Sequence, residues 1–99
     1  MGSVSVVNIK SFKGEYEYIG RGSVLGNPYI IGKHGDRAQV IESYRRLLWS
    51  QIKSLGPMGL EIARLAACCL PITLGCYCKP LACHGDVVAA AIRWVRTQA

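Results

Sequence analysis

The chain has no apolar run of the roughly 20 residues that spanning a bilayer requires. Its longest, residues 63–74, is interrupted by Arg64 and Pro71. The opening residues Met1-Gly2-Ser3-Val4-Ser5 carry no basic segment and start no long apolar one, so no secretory signal is read there. These absences predict a soluble, cytoplasmic protein with no membrane partner. No block of five like charges occurs, and no repeat of the solenoid kind. At 99 residues there is length for one domain, residues 1–99, and one core. Acidic residues are scarce: six Asp and Glu stand against twelve Lys and Arg, giving a net charge of +6 and an isoelectric point near 9.3. That balance favours an anionic partner, whether nucleic acid, a nucleotide or a phosphorylated small molecule. An ordinary basic surface would show the same balance.

What is present is a globular composition, with 51% hydrophobic residues and a mean hydropathy of +0.22. Residues 4–10 are β-branched and alternate imperfectly, and read as a partly or fully buried strand. Residues 15–19 alternate charged with aromatic and read as a second strand, joined to the first by a hairpin loop. Residues 29–31 suggest a short edge strand. Asp36 with Gln39 has the form of a capping box opening a helix. Its apolar stripe is Val40, Ile41, Tyr44, Leu47, Leu48 and Ile52, with Trp49 at the edge. Residues 54–56 stop it, Pro57 opens a second helix and Pro71 ends that one. Residues 72–76 read as a central strand, and Asp86 as the cap of a last helix. The expected fold is α/β, with α+β as the alternative: a small mixed sheet of about three strands with three helices, in the order β-β-α-α-β-α.

Two stretches carry the chemistry. Residues 20–28 hold three glycines, with Arg21, Ser23 and Asn27 among them. Glycines permit positive φ and close approach, and an arginine fork with exposed N–H groups suits a phosphate. No Gly-Lys-Ser/Thr follows, so this is not a Walker loop. The spacing also fails the dinucleotide fingerprint. The plain alternative is a long turn.

The second stretch is the strand-to-helix corner from Cys76 to Asp86. Cys76, Cys78, Cys83 and His84 are the donor set of a Cys₃His zinc site. Tetrahedral zinc needs sulfurs about 3.8 Å apart, whereas alternate residues of a strand have Cα atoms about 6.7 Å apart. Cys76 and Cys78 therefore converge only if Tyr77 lies in a turn or bulge. Alternatively Cys83, beside a helix N-terminus, is a nucleophile with His84 or His34 as its base. A third reading is a ligand pocket in which Gly85 and Asp86 bind without covalent chemistry. The plain reading is small cysteines filling a core under a turn, with Asp86 as a cap. Five cysteines without a secretory signal point to metal binding or reactivity before disulfides. Cys68 and Cys69, at the end of the second helix, are expected to be buried small hydrophobes. His34-Gly35-Asp36 and His84-Gly85-Asp86 each precede a helix, which suggests shared capping chemistry.

At these motifs the chain resembles the bacterial and phage family known as domain of unknown function 4326. The resemblance rests on Val7-Asn8, on residues 18–29 with their Gly20-Arg21-Gly22-Ser23 and Asn27-Pro28-Tyr29, and on residues 74–87. The family typically has tryptophan where this chain has Tyr77. The resemblance implies that both motifs belong to one pattern, and leaves reaction and ligand open. The expected function is binding of a phosphorylated or nucleotide-like ligand between residues 20–28 and 76–86. The ligand-binding residues would be Gly20, Arg21, Ser23, Gly26, Asn27, Gly85 and Asp86. A zinc-stabilised nucleic-acid-binding module is the alternative, and a phage or host accessory protein acting by protein contact is a third. Whether the chain is an enzyme is left open.

Overall fold

The computed structural model describes residues 3–68, 71–79 and 81–98. Six elements follow in the expected order: β1 (Val4–Asn8), β2 (Glu17–Tyr18), α1 (Arg37–Ser54), α2 (Pro57–Ala66), β3 (Ile72–Cys76) and α3 (His84–Arg96). The fold is α/β. Its sheet differs from the mixed, hairpin-led one the sequence suggests: the strand order is β1-β3-β2, and both outer strands run parallel to β3. The cause lies in β3. Its Ile-Thr-Leu-Gly-Cys run is nearly all buried, as a central parallel strand requires, whereas β2 is exposed. Alternation in residues 15–19 identifies a strand but says nothing of its partner. Val4 pairs with Ile72 and Asn8 with Cys76 on one side, and Tyr18 with Gly75 on the other. Residues 29–31 form no strand; the carbonyl of Ile30 accepts from the N–H groups of Lys33 and His34 in a turn.

The Asp36–Gln39 capping box forms as expected, with both of its bonds at 2.8 Å. Val40, Tyr44 and Leu48 are buried, with Ile41, Leu47 and Ile52 packed against the core. Trp49 meets Trp94 of α3 edge-on, ring centres 5.2 Å apart. α1 crosses α2 closely at Gly59, where a Cβ would lie 2.4 Å from the Gln51 carbonyl oxygen. α2 stops at Ala66, short of Pro71, and Arg96 of α3 donates to the carbonyls of Ala66 and Cys68 at and beyond that end. Cys68 is therefore off the helix and exposed rather than buried; Cys69 lies outside the described residues.

α3 is the centre of the packing. It contacts β1 and β3 on one side and α1 and α2 on the other. Val88, Ala91 and Ile92 are buried among them. No described helix is long and apolar enough to cross a membrane. All three strands point the same way, so the segments following β2 and β3 leave from one edge of the sheet, the edge where ligands bind in open α/β sheets.

Candidate functional site

β3 ends at Cys76 and the chain bends at Tyr77. The amide of Asn8, at the end of β1, fixes that bend by donating to the carbonyls of Tyr77 (3.2 Å) and Lys79 (2.8 Å). This is the turn that convergence of Cys76 and Cys78 demands. The sulfurs of Cys76, Cys78 and Cys83 all lie within 4.8 Å of one another, a grouping that could hold a metal ion. Those of Cys76 and Cys83 are 3.3 Å apart. The His84 imidazole stands outside this group. Its Nε2 lies 2.6 Å from the Ile19 carbonyl; a carbonyl only accepts, so Nε2 carries the proton. The ring sits edge-on against Tyr44, centres 5.0 Å apart.

Cys83, not Asp86, is the N-cap of α3. Its Sγ accepts from the Gly85 N–H, and its own N–H donates to the Asp86 carboxylate, each at 3.3 Å. Asp86 sits three residues on, inside the first turn, and pairs with Lys79 at 2.5 Å. Asp36 and Asp86 thus hold different helix positions despite their matching neighbours. Gly35 has a positive φ of 128°, whereas Gly85 is helical and buried. A Cβ on Gly85 would meet Val6 at 2.7 Å and the Cys83 sulfur at 3.1 Å.

Burial sets the protonation states. The Cys83 thiol is pushed up to about 12, first by desolvation and then by the Cys76 thiol beside it. These outweigh the Gly85 N–H that favours the thiolate, so Cys83 is a thiol at neutral pH. Desolvation lowers the His84 pKa, with the positive charge of Arg21 acting in the same direction, and keeps the ring neutral. No hydrogen bond joins Cys83 to His84. His34 accepts the Ile30 N–H on its Nδ1 (2.9 Å) and stacks edge-on with Tyr29.

The glycine-rich loop folds on itself. The Gly20 carbonyl accepts from both the N–H (3.1 Å) and the hydroxyl (2.7 Å) of Ser23. A Cβ on Gly26 would lie 2.6 Å from that same carbonyl oxygen. Ser23 and Gly26 are thus engaged inside the loop. Leu25 is buried, and its carbonyl accepts from the Tyr44 hydroxyl at 2.6 Å, tying the loop to α1.

Between the loop and the corner lies a cleft of about 350 Å³. Gly20, Arg21 and Asn27 line one wall, and Cys76, Tyr77, Cys78, Cys83 and His84 another. Tyr29, Ile30, Ile31, Arg37, Val40 and Ile41 complete it. The two motifs therefore face one space, as their sequence pattern suggests. Of the expected ligand-binding residues, Gly20, Arg21 and Asn27 line it; Ser23, Gly26, Gly85 and Asp86 do not. Two contributors went unread in the sequence. Arg37 resembles any solvent-facing helix arginine, yet as the first residue of α1 it reaches across to donate to the Ala82 carbonyl at 2.8 Å. Asn8 resembles an ordinary strand-end residue, and its place beside Val7 in the family pattern was its one signal.

The family described as "Domain of unknown function (DUF4326)" matches residues 7–94. An "Uncharacterized 12.4 kDa protein in nrdA-td intergenic region" of Enterobacteria phage T4 is 32% identical over 82 residues, which cover 82% of this chain and 71% of that protein. No solved structure matches. With nearly the whole chain matched, including both walls of the cleft, this protein belongs to the domain of unknown function 4326 family.

Proposed function

We propose that the cleft binds a small phosphorylated or nucleotide-like anion. The observation that carries this reading is charge: Arg21 and Arg37 both line the cleft, and among the described residues no carboxylate does. Neither arginine has an acidic partner among the described residues; Arg37 gives one N–H to the Ala82 carbonyl, and the remaining donors of its fork, with those of Arg21, would meet a phosphate. Asn27 adds an amide. The volume suits a small ligand. Tyr29, Ile30, Ile31, Val40 and Ile41 offer an apolar side against which a base or other flat group would lie. Thermal-shift titration with inorganic phosphate, AMP and ATP tests this. Binding raises the melting temperature, and Arg21→Ala and Arg37→Ala each diminish the rise. No shift at millimolar ligand, or a shift that survives both substitutions, refutes it.

A zinc-stabilised nucleic-acid-binding module is the second reading. The three converging sulfurs favour it, together with exposed Tyr18 and Tyr77 beside Lys10, whose ammonium lies 5.7 Å from the centre of the Tyr77 ring. Exposed rings next to positive charge suit stacked bases. Salt-sensitive retention on single-stranded DNA or RNA supports this reading, and loss of retention in Tyr77→Ala places it at this face.

A further inference from the structure

We propose that Cys76, Cys78 and Cys83 form a three-thiolate site for one soft divalent metal, zinc by chemistry, whose fourth position opens into the cleft. This deepens the cleft-binding reading by placing a metal at its wall, but the metal site itself stands on the sulfurs alone. Three observations carry it. First, the sulfurs converge to within 4.8 Å even though they come from a strand end, a bend and a helix cap. A disulfide would need two sulfurs; the third, on Cys78, packs at the edge of the core and still lies within reach of both others. Second, the convergence is built. The Asn8 amide holds the bend between Cys76 and Cys78, and the Gly85 N–H fixes the Cys83 sulfur. Outer contacts of this kind are what orient metal ligands. Third, the donor set is three. The next candidate, His84, brings neither ring nitrogen into the group of sulfurs, and all three cysteines line the cleft. Three protein ligands with one open position is the arrangement of reactive zinc, whereas structural zinc closes with four.

The charge balances. On metal binding three thiols each release a proton to solvent, and a divalent ion with three thiolates carries one net negative charge. The two guanidinium groups of Arg21 and Arg37 leave the cleft with one net positive charge, still suited to an anion. An oxygen of that anion, or a water, would then complete the tetrahedron.

The test uses the full chain, purified reduced and metal-free, then titrated with cobalt(II) and zinc(II). The expected result is one ion per chain, with intense near-ultraviolet thiolate-to-cobalt absorption that zinc displaces. Cys78→Ser should weaken cobalt binding by more than the roughly 10–100-fold that losing an outer contact costs, while Cys68→Ser, at an exposed cysteine, leaves it unchanged. Added imidazole, a neutral ligand independent of the arginines, should shift the visible cobalt bands by entering the open position. The proposal is overturned if the reduced wild-type chain takes up no stoichiometric metal. It is equally overturned if Cys78→Ser, folded by circular dichroism, binds as tightly as the parent, or if the cobalt bands ignore imidazole. Failure of the anion reading alone looks different: metal binds and imidazole responds, but phosphate protects neither form.

Discussion

Asn8 is the sharpest place to test how the corner is built. Replacing it with alanine removes two donors to backbone carbonyls, one of them partly buried at 2.8 Å and the other exposed at 3.2 Å. It also removes the acceptor for the Lys10 N–H at 2.9 Å. Net hydrogen-bond contributions are about 0.5–1.5 kcal/mol each, and exposed ones fall at the low end because water replaces them. The expected loss is therefore about 1–2 kcal/mol. For a domain of this size each kcal/mol lowers the melting temperature by about 4–8 °C. Thermal unfolding of Asn8→Ala should come roughly 5–15 °C early. A second readout is local. With the bend at Tyr77 released, Cys78 should react with a maleimide at neutral pH several times faster than in the parent, while Cys68 keeps its rate. Asn8→Asp separates geometry from size: it keeps the acceptor for Lys10 but turns a carboxylate toward two carbonyls, so it should be at least as damaging as alanine. A melting temperature within 1–2 °C of the parent, with Cys78 reactivity unchanged, would refute the role assigned to Asn8.

Gly59→Ala drives a methyl group into the Gln51 carbonyl at 2.4 Å, against backbone that cannot rotate away, and should cost about 1–3 kcal/mol by urea denaturation; a neutral result would mean the helices separate freely. Tyr44→Phe strands the Leu25 carbonyl in the core, at about 1–3 kcal/mol by the same assay. It should also loosen the glycine-rich loop, read as faster amide exchange at residues 23–26. The pH dependence has a definite sign. His84 titrates below its usual 6.5 in the folded chain, so the unfolded chain binds more protons as pH falls through and below that value. Stability should thus be full above about 6.5 and decline toward pH 5. His84→Gln, measured by denaturant titration at pH 7 and pH 5, should flatten that slope; an unchanged slope would assign it to other groups.

The parts of the fold legible in the sequence were those written locally. The Asp36–Gln39 box, the α1 stripe and the bounds of β3 depend on residues a few positions apart, and all appear as read. What depends on distant partners was hidden. β2 pairs with a strand more than fifty residues later, and nothing in its alternation could say so. The donor that meets the last carbonyl of α2 is Arg96, thirty residues on. At the corner, side-chain types alone favoured Asp86 as the cap, because aspartate commonly caps and cysteine seldom does. Burial reverses that, since a buried helix start tolerates a sulfur better than a carboxylate. Ser23 and Gly26 were legible as a glycine-loop motif, but whether such residues serve a ligand or the loop itself is decided by where the Gly20 carbonyl points.

Cys76 and Cys83 belong both to the hydrophobic core and to the wall of the cleft. Occupancy and folding are then a single equilibrium. Whatever engages those sulfurs more tightly in the native chain than in the unfolded one raises the stability of the whole domain with the logarithm of its concentration. The same linkage runs backwards. A substitution far away in α1 or α2 that leaves an appreciable fraction of the chain unfolded lowers the apparent affinity of the corner in that proportion without touching it. A measured loss of binding in any variant of this chain is therefore attributable to the site only once its unfolding free energy has been measured beside it.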